Sequence, residues 1–241
     1  MNPADPYIAL VTGVSRPEGL GLETARQLTE LGYRVLVAAR SPEKVEPLAA
    51  RIGAQSLVLD ISRDAQVREA ARQIDRQYGR LDVLVNNAGG FFDQGGQPLS
   101  TDMEYARQAF DTNLLVAWRM VMAFEPLLRR SEAGRIVQVS SGAGSFGDPV
   151  FGLGIHPGFV PVYSLTKLAL NGLTVNLARQ FRDSRIKINS VCPGFVATYP
   201  GTEQWGARPV ADGARGIVWA ATLGEEGPSG GFFRDGKPIA W

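Results

Sequence analysis

A tyrosine and a lysine four residues apart are the first candidates for chemistry in this sequence. Tyr163 and Lys167 lie in VPVYSLTKLALNGLTVNLARQ, a stretch with helical periodicity and with Pro161 near its start. Spacing of four puts both side chains on one helix face. A phenol has a pKa of about 10, and we expect the neighbouring ammonium to lower it. Such a pair can pass a proton to a carbonyl oxygen, whereas an exposed helix with an unrelated Tyr and Lys would show the same spacing.

A second candidate is a glycine-rich turn near the start of the sequence. The segment VTGVSRPEGLGLETARQL holds Gly13, Gly19 and Gly21 between a predicted strand and a predicted helix. Glycines let the backbone approach a pyrophosphate, and the free N–H groups of a helix start attract its charge. About twenty residues on, where NAD sites carry an acid, the second strand ends at Arg40. Arg40 and Arg16 are therefore predicted to hold the 2′-phosphate of NADPH, the alternative being two surface charges.

The elements that would position these residues alternate in type along the chain. Short β-branched runs predict six strands, and amphipathic stretches between them predict helices, the longest at 101–129, where Thr101 and Glu104 have capping-box spacing. This alternation is typical of an α/β fold with a parallel sheet, and nothing argues for a second domain within 1–241. The predicted strands are 7–11, 34–38, 56–59, 83–85, 135–139 and 187–191, and helices are expected after the first strand and near 43–52 and 63–78.

Composition limits the partners and the compartment. The 25 Lys and Arg residues balance 24 Asp and Glu residues and are scattered, so nucleic acid is not an expected partner. The first residues do not read as a signal peptide, and no apolar run has membrane-spanning length. The single cysteine, Cys192, rules out an intrachain disulfide and suits a reducing compartment. We expect a cytoplasmic protein with no membrane partner.

Other reactive residue types are given ordinary structural roles. His156 is the single histidine, so a metal site or a Ser-His triad would have to be built around it, and no metal is expected. Cys192 is expected to be a small apolar filler without the electropositive setting of a reactive thiol. Aromatic and methionine side chains within 101–129 are expected to form core or a subunit interface rather than a cofactor box. These are Trp118, Met120, Met122 and Phe124.

Seven short motifs, in order, resemble the short-chain dehydrogenase/reductase family over almost the whole chain. None is specific alone, but their order is. They are Thr12 and Gly13, Asp60 after the third strand, NNAG at 86–89, Asn113 in TNL, the serines at 140 and 141, YSLTK at 163–167, and CPGFVAT at 192–198. The resemblance implies a single-domain Rossmann fold, a doubly wound parallel sheet of about seven strands with helices on both faces. The Phe232 and Phe233 run would then be a seventh strand, although pattern alone gives six.

The resemblance also implies roles for individual residues. Tyr163 would be the proton donor, Ser141 would hydrogen-bond the substrate oxygen, Lys167 would assist both the tyrosine and the nicotinamide ribose, and Asn113 would organise a water relay. Asp60 and Ile61 would lie against the adenine, and Thr198 at the nicotinamide. The full cofactor set is Gly13, Ser15, Arg16, Gly19, Leu20, Gly21, Arg40, Asp60, Ile61, Asn86, Asn87, Ala88, Gly89, Tyr163, Lys167, Pro193, Gly194, Val196 and Thr198.

The carbonyl-reductase branch of the family is the one that the chain resembles most. The tail GGFFRDGKPIAW and the short segment after CPGFVAT carry this likeness. It implies an enzyme that uses NADPH to reduce a ketone, aldehyde or quinone to an alcohol. An NADPH-binding redox sensor without turnover and an alcohol dehydrogenase working in the oxidising direction stay open as alternatives. A monomer, a dimer and a tetramer are all compatible with the sequence.

Two departures from the family pattern mark places of special interest. Five residues separate Gly13 from Gly19, more than the family usually has, so Pro17 and Glu18 look inserted. The stretch 142–162 between Ser141 and Tyr163 is also enlarged, and its glycines and phenylalanines favour a wall or lid of the substrate pocket. A solvated loop packed on the domain is the alternative. The predicted substrate contacts are Ser141, Phe151, Tyr163, Phe195, Tyr199 and Trp205.

Overall fold

The β-branched runs of the sequence form one sheet of eight strands. A computed structural model describes residues 5–93, 95–155 and 159–241. The strand order is β3-β2-β1-β4-β5-β6-β7-β8. The strands are β1 (Ile8–Thr12), β2 (Arg34–Ala39), β3 (Gln55–Val58), β4 (Val83–Asn86), β5 (Arg135–Val139), β6 (Lys187–Val191), β7 (Phe232–Arg234) and β8 (Lys237–Pro238).

The sheet is parallel apart from its last strand. Strands β1 to β7 pair in parallel, and β8 returns antiparallel to β7 through the pairs Phe233 with Pro238 and Arg234 with Lys237. The six strands predicted by pattern and the seventh implied by resemblance are confirmed. The eighth was not foreseen, because two residues are too few to show a period.

Helices cover both faces of this sheet, as a doubly wound fold requires. On one face Leu28, Val45 and Ile217 pack on alternate strand residues, and on the other face Ile74, Phe124 and Leu177 do so. Burying both faces explains the near-continuous apolar runs of the strands. The helices are α1 (Leu20–Glu30), α2 (Pro42–Arg51), α3 (Asp64–Tyr78), α4 (Met103–Phe110), α5 (Val116–Arg129), α6 (Pro161–Gln180) and α7 (Val210–Ala221).

The predicted helix over 101–129 is interrupted. Between α4 and α5 the backbone forms a π-helical turn over Asp111–Leu115. The cap also differs from the prediction, because Asp102, not Thr101, precedes the helix and accepts a hydrogen bond from the Glu104 N–H. A carboxylate one residue closer to the first turn serves as well as a threonine hydroxyl. Along α5, Met120 and Phe124 enter the core, whereas Trp118 and Met122 are exposed.

The strand order creates the place for a ligand. Chain order reverses between β1, which continues to β2 on one side, and β4, its neighbour on the other. At such a point the connections diverge and leave a crevice beyond the carboxyl ends of the strands. The turns after β1, β4, β5 and β6 therefore meet at one edge. Across the described residues, no helix combines the length and apolarity needed to cross a membrane.

Candidate functional site

The glycine-rich turn after β1 packs directly against the segment after β4. Gly13 has φ 75°, a left-handed conformation that favours glycine, and a Cβ added there would lie 2.6 Å from the Ala88 Cα. The Thr12 hydroxyl accepts hydrogen bonds from the N–H groups of Asn87 and Ala88 at 3.1 and 3.2 Å. The Asn87 side chain donates to the Thr12 carbonyl at 2.8 Å, and an added Cβ on Gly21 would collide with that amide. TG and NNAG are thus one packed unit.

The first turn of α1 is open to an anion. Gly19 is its N-cap, and no side chain of the described residues caps it. The free N–H groups and the positive end of the helix dipole suit a pyrophosphate. The inserted Glu18 is exposed.

The two candidate phosphate ligands have different surroundings. The Arg16 guanidinium donates to the Thr198 carbonyl at 3.1 Å and lies 4.0 Å from the centre of the Tyr199 ring. Arg40 is exposed at the end of β2 and makes no hydrogen bond or ion pair within the described ranges. In this conformation Arg40 is the freer of the two to bind a 2′-phosphate, and the phosphate contact of both arginines stays a prediction. Arg16 instead joins the glycine turn to the segment after β6, a contact that the sequence did not reveal.

Asp60 follows β3 at the position expected for an adenine contact. Its carboxylate accepts hydrogen bonds from the N–H and hydroxyl of Ser62 at 3.0 and 2.7 Å and from Arg63 at 3.3 Å. Partial burial acts to raise the pKa of Asp60, but these hydrogen bonds outweigh it and lower the pKa below its ordinary value. Asp60 is therefore a fixed negative charge, and Ile61 beside it is half-buried.

Tyr163 lies in the first turn of α6 and is only 8% exposed. Burial raises its pKa above the ordinary value, and a hydrogen bond with the Ser141 side chain acts in the opposite direction. The expected lowering by Lys167 is thus wrong for this structure, because desolvation of the phenolate is the larger effect. Ser141 comes two residues after the end of β5, and its Oγ accepts from the Ala143 N–H at 3.2 Å. The structure brings Ser141 and Tyr163 together.

Lys167 is buried beside Tyr163. Its ammonium donates to the Val139 carbonyl at 2.9 Å and lies 5.6 Å from the centre of the Tyr163 ring. Burial lowers the pKa of Lys167 to about 8. A Cβ added to Gly89 would lie 3.6 Å from the ammonium, so the NNAG segment reaches Lys167.

Asn113 holds the neighbouring backbone in place. It lies in the π-helical turn Asp111–Leu115, a feature that is often found at functional sites. Its side chain accepts from the Gly90 N–H and donates to the Gly90 carbonyl, both at 2.9 Å, and donates to the Thr166 hydroxyl at 3.1 Å. Thr166 donates onward to the Tyr163 carbonyl at 2.7 Å. The four predicted catalytic residues therefore lie in one connected cluster.

The segment after β6 supplies the other predicted cofactor contacts. Pro193 and Gly194 follow the strand; Gly194 has φ 79°, and a Cβ added there would lie 3.2 Å from the Arg208 side chain. Val196 is buried and forms a parallel bridge with Arg208. Thr198 is tied through its carbonyl to the glycine turn. These residues border the same edge of the sheet as the cluster around Tyr163.

The predicted aromatic substrate contacts lie mostly on the surface. Phe195, Tyr199 and Trp205 are all exposed, Trp205 within the short 3-10 turn Thr202–Trp205. Phe151 is half-buried, with the Arg234 guanidinium 5.3 Å from its ring centre. No ring contact joins the exposed three, Phe195, Tyr199 and Trp205, to Tyr163 within the described part of the chain.

The start of the 142–162 insert is firmly anchored. Ser145 donates to the Ala240 carbonyl at 2.8 Å, and the buried Asp148 carboxylate forms an ion pair with Arg234. Such anchoring suits a fixed wall better than a mobile lid. The later part exposes Ile155 and Phe159. His156, considered above for a metal or a triad, lies outside the described residues, as does Gly158.

Two residues of the site were missed by sequence reasoning. Phe92 stacks on the Tyr163 ring, with centroids 4.1 Å apart and planes 23° apart. Asp93 accepts hydrogen bonds from the N–H groups of Val162 and Tyr163 at 2.8 and 3.1 Å. Both belong to GGFFDQGG, which begins at the last glycine of NNAG. Two aromatics and an acid between paired glycines, at the edge where β4 ends, were the available signal.

Cys192 also has a setting that was not foreseen. Its sulfur accepts from the Gly142 N–H at 3.2 Å and from the Arg234 guanidinium at 3.3 and 3.4 Å. The expectation of a plain apolar filler is therefore wrong. Arg234 is 42 residues away in sequence and lies beside Cys192 because β7 pairs with β6. The thiol is nevertheless buried.

A cavity of about 420 Å³ lies at the other edge of the sheet. Asp82, Val83 and Arg135, at the amino ends of β4 and β5, are among its lining residues. It contains none of the predicted site residues, and the chemistry described above lies at the carboxyl ends of the strands. Within the described ranges, no group of three His, Cys, Asp or Glu side chains could hold a metal ion.

Comparison with known sequences gives a consistent family match. A family model described as short chain dehydrogenase matches residues 7–207. A short-chain dehydrogenase named anuI, from Penicillium roqueforti, is 35% identical over 229 residues, which cover 90% of this chain and 89% of that protein.

Solved structures agree with this match. An NADPH-bound carbonyl reductase from chicken fatty liver has a TM-score of 0.83 at 23% identity and covers 98% of each chain, a likeness in fold. A metagenomic short-chain oxidoreductase in complex with NADP has a TM-score of 0.76 at 29% identity, covering 95% of this chain and 96% of that chain.

Proposed function

This chain belongs to the short-chain dehydrogenase family, and we propose that it is an NADPH-dependent reductase that converts a ketone, aldehyde or quinone carbonyl to an alcohol. The observation that carries the proposal is the buried cluster of Ser141, Tyr163 and Lys167 at the carboxyl edge of the sheet. It lies beside a glycine-rich turn whose helix start is open to a phosphate. Reduction of a carbonyl by hydride transfer requires a proton donor close to the bound dinucleotide, and this arrangement provides both.

The residues of the turn and strand ends fit the dinucleotide. The close approach of Gly13 to Ala88 and the open first turn of α1 suit the pyrophosphate. Arg40, free at the end of β2, would hold the 2′-phosphate, and Asp60 with Ile61 would border the adenine. The NADP complex of the metagenomic relative supports this assignment. When bound, NADPH supplies the hydride.

The catalytic residues would manage the proton and the developing charge. Ser141 donates a hydrogen bond to the carbonyl oxygen, and Tyr163 gives its phenolic proton to that oxygen as negative charge develops. Burial raises the pKa of Tyr163, so the phenol is protonated before the reaction, and its phenolate needs stabilisation once the proton has been given up. The Lys167 ammonium, 5.6 Å from the ring centre, stabilises the phenolate that remains. Asn113 fixes the backbone of Tyr163 through Thr166.

We also place one catalytic domain across residues 1–241 and the enzyme in the cytoplasm. The carbonyl-reductase type is supported by the tail, in which β7 and the antiparallel β8 complete the sheet. A free cysteine agrees with a reducing compartment.

A panel of ketones, aldehydes and quinones, followed by the loss of NADPH absorbance, tests the proposal. We expect turnover with at least one class, and less turnover with NADH. Tyr163→Phe keeps the ring packing and removes the acid, so NADPH affinity should persist while turnover falls by about 100-fold or more. A near-native rate in this variant would refute the mechanism. NADPH binding without turnover on any class would instead indicate a binding protein.

A further inference from the structure

The segment between β4 and α4 reaches across to the start of the catalytic helix. Phe91, Phe92 and Asp93 follow NNAG and Gly90, and Asp93 meets the first turn of α6. The Asp93 carbonyl accepts from the Gly96 N–H at 2.8 Å, and the Gly95 N–H donates to the Phe159 carbonyl at 3.0 Å. The segment thus makes hydrogen bonds within itself and to the residues preceding α6.

Asp93 caps the catalytic helix from a distance in sequence. The N-cap of α6 is Val160, which has no polar side chain, and Pro161 has no N–H. The next two N–H groups, of Val162 and Tyr163, would lack partners, and the two carboxylate oxygens of Asp93 accept one each. A negative charge at this end also favours the helix dipole. The backbone of the proton donor is therefore held by Asp93.

Phe92 holds the other part of the same tyrosine. Its ring stacks on the Tyr163 ring, yet the Phe92 side chain is 66% exposed. The preceding Phe91 has φ 62°, a left-handed conformation that is strained for a residue with a Cβ, and packs edge-on against Tyr105. Strain of this kind persists only where the surrounding contacts hold it and is common at functional sites. With Phe91 in this conformation, the Phe92 ring lies over Tyr163 and is still exposed to a ligand.

We propose that Asp93 is a positioning residue for Tyr163 and that Phe92 is a specificity-determining wall that favours carbonyl groups attached to an aromatic ring. The proposal rests on the reductase function proposed above. A substrate whose carbonyl meets Tyr163 would bring its adjoining group to the exposed ring of Phe92. Aromatic rings prefer offset or edge-on contacts with one another, so an aryl group gains more there than an alkyl group.

Substitutions at Asp93 test the positioning role. Asp93→Ala should lower kcat about tenfold while the Kd for NADPH changes less than twofold, and Asp93→Asn should recover part of kcat because its amide oxygen still accepts a hydrogen bond. Asp102→Ala is the matched control, since Asp102 caps α4 through the Glu104 N–H. That variant should retain kcat. A wild-type kcat in Asp93→Ala, or an equal loss in Asp102→Ala, overturns the positioning role.

Substitutions at Phe92 test the selectivity. An aryl ketone and an alkyl ketone of equal carbon number are compared by kcat/KM. The wild type should favour the aryl ketone, and Phe92→Ala and Phe92→Leu should both reduce that ratio by about fivefold or more, because leucine restores bulk without a ring. An unchanged ratio in Phe92→Leu overturns the aromatic wall.

Hydrogen exchange separates this inference from the proposed function. In Asp93→Ala, but not in Asp102→Ala, the amides of Val162 and Tyr163 should exchange at least tenfold faster, a result that does not depend on turnover. Unchanged exchange rejects Asp93 as the cap of α6 even if the enzyme reduces carbonyls. If the wild type reduces none of the carbonyls while the exchange effect is present, the reductase function and the Phe92 wall fail and the capping role alone survives.

Discussion

Arg40 is the guanidinium that is free to reach a ligand where β2 ends. It contributes a positive field at Asp60 but has no hydrogen-bond partner of its own within the described residues. Arg16, in contrast, bonds the Thr198 carbonyl and lies over Tyr199. These two contacts occupy one face and one N–H of the Arg16 guanidinium and hold it toward the segment after β6, so Arg16 has less freedom than Arg40 to turn to a 2′-phosphate. The two residues therefore have separate expected effects.

We predict that Arg40 sets the cofactor preference. Arg40→Ala should cut the preference for NADPH over NADH by about 10- to 100-fold, because a charge-assisted phosphate contact is lost. Arg16→Ala should leave that ratio within about threefold and raise the substrate KM instead. Titration of both cofactors against the wild type and each variant measures this. A larger loss of preference in Arg16→Ala would reverse the assignment.

At the scale of elements, the 142–162 insert departs most from the family pattern. Its ends are fixed at Ser141 and Tyr163, and its first part is bonded to the β7–β8 end of the sheet. In the proposed mechanism Ser141 and Tyr163 meet the carbonyl oxygen, so an insert that begins and ends beside them would border the substrate. Among the described residues after Asp148, Val150, Ile155 and Phe159 are exposed and have room to contact a substrate.

We predict that this middle part shapes the substrate pocket. Replacing residues 150–158 with a short Gly-Ser linker keeps Asp148 and both catalytic ends, so the Kd for NADPH should stay within about twofold. The KM values should rise and the ranking of substrates should change. Circular dichroism confirms that the variant is folded. An unaltered ranking would mean that Phe195, Tyr199 and Trp205 form the pocket instead.

Periodicity and residue type were enough to predict most elements. The short β-branched runs located every strand of five or more residues, and spacing of four placed Tyr163 and Lys167 on one helix face. Pattern could not reveal the two-residue β8 or the π-helical turn at Asp111–Leu115, which has the residue types of an ordinary helix. Nor could it reveal contacts made across the sheet, such as Asp93 on α6 or Arg234 on Cys192. Burial, which reversed the expected shift of Tyr163, depends on the whole fold.

For the whole molecule, the buried pair Tyr163 and Lys167 links stability to pH. Burial lowers the pKa of Lys167 from its ordinary 10.5 to about 8. Between these values the unfolded chain binds more protons than the folded chain, so the free energy of unfolding rises with pH. Tyr163 has a pKa raised above its ordinary 10.0, and above that pH it acts in the opposite direction. The lysine effect is therefore isolated between about pH 8 and pH 10.

We predict that a charge-free residue at 167 removes this dependence. The free energy of unfolding is measured in urea at pH 7.0 and 9.5. Between these pH values it should rise by on the order of 1 to 2 kcal/mol more in the wild type than in Lys167→Met, because only the wild type loses a buried positive charge. Comparison of the two proteins cancels the titration of shared groups. A pH dependence that is the same in both would show that Lys167 is not desolvated.

Cys192 is a natural reporter of local opening at one end of the sheet. It is the only thiol in the chain, it is buried, and it lies where β6 ends beside the catalytic cluster. A thiol reagent can reach it only when that end of the sheet opens, so the labelling rate of the native protein measures how often the opening occurs. No probe has to be engineered. Labelling rates with and without dinucleotide would show how much the bound ligand lowers the frequency of this opening.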